Sequence, residues 1–246
     1  NETLQFVEQL KEEVSGKGNF VIGHSDVDLM IYDSEGNRIV RKRETNIGDF
    51  CADALRSFTD ADIAMVNGGG IRTNIKRGEI LFNDLYNVMP FGDMIATGTF
   101  YGEQLLDVLE FAVSALPTEA GTFMQVSGLR FTVDSDIPSP VMKDTETEMF
   151  SHVGEGERRV SHVEILDKQS GEYKAVELSR QYTIATLDYL ILEQGGAGIL
   201  SCVKPDSIYW GADIEVLRHY LESVLGGNIG SEYTQPQGRI IYKYFN

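Results

Sequence analysis

A chain of 246 residues with 42% hydrophobic and 24% charged residues suits one large globular domain or two small ones, with enough length to bury a sizeable core. Its net charge of −17 argues against nucleic acid or a membrane surface as a partner, because both are bound through basic patches. No apolar run reaches transmembrane length, and two cysteines, Cys51 and Cys202, permit one disulfide without placing it.

Leu4, Phe6, Val7, Leu10 and Val14 fall at helical spacing, which predicts an amphipathic lead-in helix over 1–17 and a domain over 18–246. Phe20-Val21-Ile22 and the run 27–32 read as strands, and Asp33-Ser34-Glu35-Gly36-Asn37 reads as a turn. Arg38, Arg41, Lys42 and Arg43 then form a local basic cluster in an acidic chain. Asn46 is the expected N-cap of a helix carrying Ile47, Phe50, Ala54, Leu55 and Phe58 on one side, with Cys51 as a buried thiol. Arg41 and Arg43 stand just ahead of that helix, whose N-terminus carries partial positive charge. The stretch reads either as an anion site shared by helix and arginines or as a solvated charge run.

The apolar run Ile63-Ala64-Met65-Val66 comes next and enters Asn67-Gly68-Gly69-Gly70-Ile71-Arg72. The run reads as a buried strand. Three successive glycines allow positive φ and close approach, and their N–H groups can form a concave nest for an anion. Arg72 adds a planar, permanently charged fork. Two readings stand: an anion-recognition loop at a strand end, or a plain glycine turn with a surface arginine.

Residues 80–82 and 84–89 predict a short strand and a short helix, closed by Pro90-Phe91-Gly92. Phe91 on that loop is either a stacking platform for a planar ligand or an aromatic folded back into the core. A strand over 94–101 leads into an amphipathic helix over 102–116, with Leu105, Leu109, Ala112 and Leu116 inward. Strands are expected at 123–126 and 129–133. The acidic stretch 134–159, with Pro138 and Pro140, reads as a long loop, partly extended and mobile, bearing an exposed His152. Runs 160–166, 173–178 and 182–186 read as a meander. Asp188-Tyr189, the pair Gly195-Gly196, a helix over 214–225 and a closing strand over 238–242 complete the chain.

His24, His152, His162 and His219 are scattered, none at metal-ligand spacing with a carboxylate or cysteine. There is no nucleophile elbow, no Walker loop and no Rossmann spacing around the glycines. The chain offers groups for holding a substrate and none for breaking a bond in it.

Four segments occur together and in order: Arg41-x-Arg43-Glu44-Thr45-Asn46-Ile47-Gly48, Asn67-Gly68-Gly69-Gly70-Ile71-Arg72, Pro90-Phe91-Gly92 and Tyr182-x-Ile184-Ala185-Thr186-x-Asp188-Tyr189. This series resembles the C-terminal, substrate-binding domain of the 5′-nucleotidase and UDP-sugar hydrolase family, over roughly residues 20–242. The resemblance implies an α+β fold of mixed α/β layers, with helices packed on mixed β-sheets. It implies an N-terminal metallophosphoesterase domain, absent here, that carries two divalent metal ions. The helix at 1–17 would be the connector to that domain, and this chain would bind no metal and by itself be inactive. The expected ligand is a nucleotide or nucleoside, and the expected location is extracytoplasmic: secreted, periplasmic or at the cell surface.

The matching positions imply roles. Arg41 and Arg72 resemble the phosphate and ribose contacts, with Asn67, Gly69 and Gly70 beside them. Phe91 and Tyr189 resemble the two sides of an aromatic clamp on the base. Arg38 and Arg43 are accessory charges in the same pocket. The series also departs from the family. Where the family usually has Gly-Gly-Asp-Gly, with an aspartate accepting from ribose hydroxyls, this chain has Gly195-Gly196-Ala197-Gly198. Glu193 or Gln194 is the expected substitute; failing that, losing a charged hydrogen bond costs about 1.5–3 kcal/mol. A binding module that has drifted from nucleotides and an assembly domain with a relic pocket are the alternatives.

Overall fold

The computed structural model describes residues 20–192 and 195–243. The expected helix over 1–17 and the candidate residues Glu193 and Gln194 lie outside the described residues. In chain order the elements are β1 (Val21–Ser25), α1 (Asn46–Thr59), β2 (Ile63–Asn67), β3 (Gly78–Leu81), α2 (Phe82–Val88), β4 (Met94–Tyr101), α3 (Gly102–Val113), β5 (Met124–Ser127) and β6 (Leu129–Val133). The second half adds β7 (Val141–Lys143), β8 (Phe150–Val153), β9 (Val160–Leu166), β10 (Tyr173–Ala175), β11 (Gln181–Leu187), α4 (Asp188–Ile191), β12 (Lys204–Ala212), α5 (Asp213–His219), β13 (Asn228–Ile229) and β14 (Ile240–Tyr242).

The apolar run predicted at 63–66 is the buried heart of a five-stranded sheet, in the order β12-β4-β11-β2-β5. All five residues of β2 are buried. β11 runs parallel to β2, and the other neighbours are antiparallel. α1 packs on β2, β5 and β11, burying Ile47, Phe50, Cys51, Ala54 and Leu55 completely. Each large side chain withdrawn from water there contributes about 1.5–3 kcal/mol. Smaller sheets, in the orders β10-β9-β6-β14 and β13-β1-β3, flank this unit. The result is a mixed α/β layering with helices on mixed sheets.

Register explains how distant segments meet. Ile184 pairs with Ile63 on a parallel neighbour, so β2 and β11 end at the same end of the sheet. Met124 lies opposite Asn67, Ile95 opposite Leu187, and Ala212 opposite Met94. The residues just before β4 and β5, and just after β2, β11 and β12, therefore gather at one end. Ligand sites in α/β sheets commonly form beyond the carboxyl ends of parallel strands.

Several expectations need correction. The N-cap of α1 is Thr45, whose hydroxyl accepts the Gly48 N–H at 3.1 Å. Asn46 is already helical and instead donates to the Asp28 and Tyr233 carbonyls while accepting from Met30 N–H. Residues 27–32 make only isolated bridges, Leu29 with Ile75 and Tyr32 with Arg38. The expected meander is broken. β9 and β10 pair, but β11 crosses into the central sheet, because alternation marks a strand without naming its partner.

The stretch 134–159 is not all loop. It contains the hairpin β7–β8, whose largely exposed strands lack an apolar alternation to betray them. His152 is exposed there, as expected. α3 stops at Val113, three residues short of the expected helix end. The buried Arg159 satisfies carbonyls left at that end, donating to Val113, Ser114 and Leu116 at 2.9–3.2 Å. Cys51 and Cys202 are both free thiols, and Cys51 is fully buried.

Candidate functional site

β2 delivers Asn67 and the glycine loop to the gathered end of the sheet. The loop is held by its donors: Gly68 N–H to Phe123 O at 2.7 Å, Gly69 N–H to Gly121 O at 3.1 Å, Gly70 N–H to Asn67 O at 2.9 Å, and Arg72 N–H to Val88 O at 2.9 Å. The three glycine N–H groups are consumed internally, so of the two readings the backbone nest is not formed by them. None of the three glycines has positive φ. Close approach explains them instead: a Cβ on Gly68 would lie 2.2 Å from Val40 O, and one on Gly69 would lie 2.9 Å from Gly121 O.

What the loop presents is a carbonyl. Gly69 O accepts from Arg72 Nη1 at 3.0 Å and from Arg41 Nη2 at 3.5 Å. Two guanidiniums thus converge on one acceptor. Burial first, and then the charges of Arg38 and Arg72, push the Arg41 pKa below its ordinary value. Arg41 Nε and Asn67 Oδ1 are buried without a hydrogen-bond partner. An anion between the arginines would offset their repulsion.

Arg41 is positioned by a residue that sequence reasoning missed. The fully buried Gln125 on β5 donates to Val40 O at 2.9 Å and Arg43 O at 2.7 Å, and accepts from Thr45 N–H at 3.1 Å. Gly48 leaves room for it, since a Cβ there would sit 2.1 Å from Gln125 Oε1. The Ala120 N–H adds a bond to Arg41 O at 3.0 Å.

The Phe91 loop precedes β4, and Tyr189 follows β11. Asp188 joins them, its Oδ1 accepting Met94 N–H at 3.0 Å and Tyr189 N–H at 2.8 Å. Asp213 fastens the same loop from the start of α5. Its Oδ2 accepts Asp93 N–H at 3.2 Å, while Asp213 N–H donates to Asp93 O at 2.9 Å. Burial raises the Asp213 carboxyl to about 7. Phe91 is 61% exposed and Tyr189 38%, so neither ring is folded into the core. Gly195 lies against Tyr189, where a Cβ would meet the ring at 2.4 Å.

These parts surround a cleft of about 610 Å³. Asn67, Gly69, Gly70, Phe91 and Tyr189 all line it. Arg41 and Arg72 are not among its lining residues; both bond to Gly69 O, and Gly69 lines it, while the Arg72 guanidinium lies 5.9 Å from the centre of the Phe91 ring. The accessory candidates are placed less directly. Arg38 is held bidentate by Glu119 at 2.6 and 2.9 Å, although its charge is felt at Arg41. Arg43 is not among the lining residues, and its charge acts on the half-buried Tyr242.

The other lining residues missed by the sequence include Asp93, Ser114, Thr122, Lys143 and Phe150. The hairpin supplies the last two, and no local pattern announces that placement. Ala197 also lines the cleft, in a left-handed conformation at φ 60°, between Gly196 and Gly198 of the same hand. Two further concavities, about 480 and 420 Å³, share no residue with this cleft and each carry a single tyrosine. The described residues contain no group of three or more His, Cys, Asp or Glu fit to hold a metal ion, so no step through a metal is assigned to them. Among them, no helix is long and apolar enough to cross a membrane.

The domain is thus a mixed α/β sheet unit with a cleft at its strand ends that Phe91 and Tyr189 line. The sequence signature of the 5′-nucleotidase, C-terminal domain family matches residues 21–203, and the chain belongs to that family. It is 28% identical over 244 residues to the trifunctional nucleotide phosphoesterase protein YfkN of Bacillus subtilis, covering 97% of this chain and 15% of that protein. It is 28% identical over 246 residues to a 5′-nucleotidase of Vibrio parahaemolyticus, covering 99% of this chain and 37% of that one. The chain thus spans well under half the length of these relatives. The 5′-nucleotidase precursor of Thermus thermophilus superposes with a TM-score of 0.74 at 25% identity, over 99% of this chain and 43% of that chain.

Proposed function

We propose that this chain is the nucleotide-binding domain of a 5′-nucleotidase-type phosphohydrolase. It holds the substrate for a metallophosphoesterase domain that carries two divalent metal ions, in the same or a separate polypeptide. The observation that carries this reading is the convergence of Arg41 and Arg72 on Gly69 O beside a cleft lined by Phe91 and Tyr189. The guanidiniums suit a phosphate, and the two rings suit a base, at about 1–3 kcal/mol of stacking per base. Bond breaking belongs to the other domain. Family membership supports an extracytoplasmic setting.

A second reading, a binding module that has left strict nucleotide recognition, is favoured by one observation: Ala197 offers no side-chain acceptor to a ribose. A thermal-shift panel of adenosine, AMP and UDP-glucose separates the two. Stabilisation by adenosine or AMP, lost in Phe91→Ala and Tyr189→Ala, supports the first. Silence across the panel contradicts it, and so does phosphatase turnover by this chain alone with added divalent metal.

A further inference from the structure

Lys143 is the one cationic residue among those lining the cleft. β7 and β8 form a hairpin that packs on α3 through Phe150 and Phe111, stacked 4.8 Å apart at 6°. The same hairpin abuts the left-handed turn, since a Cβ on Gly198 would lie 2.6 Å from Met149 Cε. Lys143 lines the cleft from this hairpin, its Nζ 5.2 Å from the Phe150 ring centre. Lys143 makes no ion pair with the described residues. Asp93 is the one carboxylate among the lining residues. It sits on the Phe91 loop beside Asp213, not on the hairpin. Ala197, on the turn next to the hairpin, lines the same cleft as Lys143, and its side chain offers no acceptor.

Resting on the reading of the cleft as a nucleotide site, we propose that Lys143 forms a second anion subsite that selects nucleotides carrying a further phosphoryl group on the 2′ or 3′ ribose oxygen. One phosphate meets Arg41 and Arg72, the base lies against Phe91 and Tyr189, and the second phosphate faces the hairpin. A ribose hydroxyl asks for an acceptor, whereas a ribose phosphate asks for a donor with positive charge. Lys143 supplies three donors on a flexible stem.

Isothermal titration of the chain with AMP, ADP and adenosine 3′,5′-bisphosphate tests this. The bisphosphate is expected to bind about tenfold tighter than AMP, as a charge-assisted hydrogen bond allows. Lys143→Met should bring the ratio of the two affinities close to one, and Lys143→Arg should keep it. ADP, whose second phosphate extends in line with the first, should show no gain that depends on Lys143. A bisphosphate that binds no tighter than AMP overturns the subsite, as does a gain that survives Lys143→Met. A Lys143-dependent gain with ADP overturns its placement at the ribose. If AMP itself fails to bind, the nucleotide reading fails with it. If AMP binds without any bisphosphate preference, only the subsite fails.

Discussion

Arg41 and Arg72 share a single carbonyl, Gly69 O, and the closer bond is the one from Arg72. Each guanidinium is expected to hold a phosphate by a charge-assisted bond of about 1.5–3 kcal/mol. Arg72→Met should therefore weaken AMP binding at least tenfold and leave adenosine within about threefold; calorimetry with both ligands checks it. An equal loss for both would assign Arg72 to the base or sugar. Ala197 is a residue-scale cost of a different kind. Its left-handed backbone suits glycine, and alanine there is strained by about 1–2 kcal/mol. Ala197→Gly should raise the unfolding free energy by about 1 kcal/mol in a urea titration. The motif series named Arg41, Arg72, Phe91 and Tyr189 as candidates before any coordinates, and the structure places Phe91 and Tyr189 on one cleft with both arginines bonded to its Gly69. Gln125, Asp188 and Lys143 were not legible as site residues, because their roles come from register and from a hairpin rather than from local pattern.

At the scale of elements, helices announced themselves through buried faces. α1 and α3 fall where periodicity placed them, within a few residues at the ends. β2 and β4 were equally plain, being apolar runs bounded by glycine or polar residues. β7, β8 and β12 were not, since short exposed strands, or strands with irregular register, carry no period-2 signal. Strand partners were illegible throughout. The glycine loop shows how element and site are joined, with packing rather than turn conformation fixing its composition. Gly195 tests the same principle away from the loop. Gly195→Ala should push the Tyr189 ring aside and weaken adenosine binding while the circular dichroism spectrum stays unchanged. Unaltered affinity would remove Tyr189 from the clamp.

The whole molecule carries buried carboxyls raised above their ordinary range. Burial raises Asp213 to about 7, and burial is also the leading cause at Asp49 and Glu110, with Arg239 opposing it at Asp49. A carboxyl raised on folding keeps its proton in the native state at pH values where the unfolded chain has lost it. The native state then binds more protons, so stability falls as pH rises from about 4 through the folded values. The carboxyls lowered on folding, Asp33, Glu119, Asp144 and Asp167, act below that window. Unfolding free energy should thus decline between pH 5 and pH 7, by up to about 1.4 kcal/mol per pH unit for each raised group. Urea titrations across that range check the sign, and a flat or rising profile contradicts it. Arg239, which pairs with Asp49 at 3.5 Å and Asp53 at 2.8 Å, ties the chain end after residue 238 to α1. Arg239→Met should cost about 1.5–3 kcal/mol by removing the charge-assisted bond to the partly buried Asp53 carboxylate, and a urea titration reads it.

The central claim is that one cleft, assembled from segments far apart in the chain, holds a nucleotide by phosphate and base at once. A crystal structure of the chain soaked with AMP tests it most directly. The expected density places the base between the rings of Phe91 and Tyr189, with the phosphate within hydrogen-bond distance of Arg41 and Arg72. AMP bound at the concavity around Lys168, or density at neither place under saturating ligand, would contradict the claim.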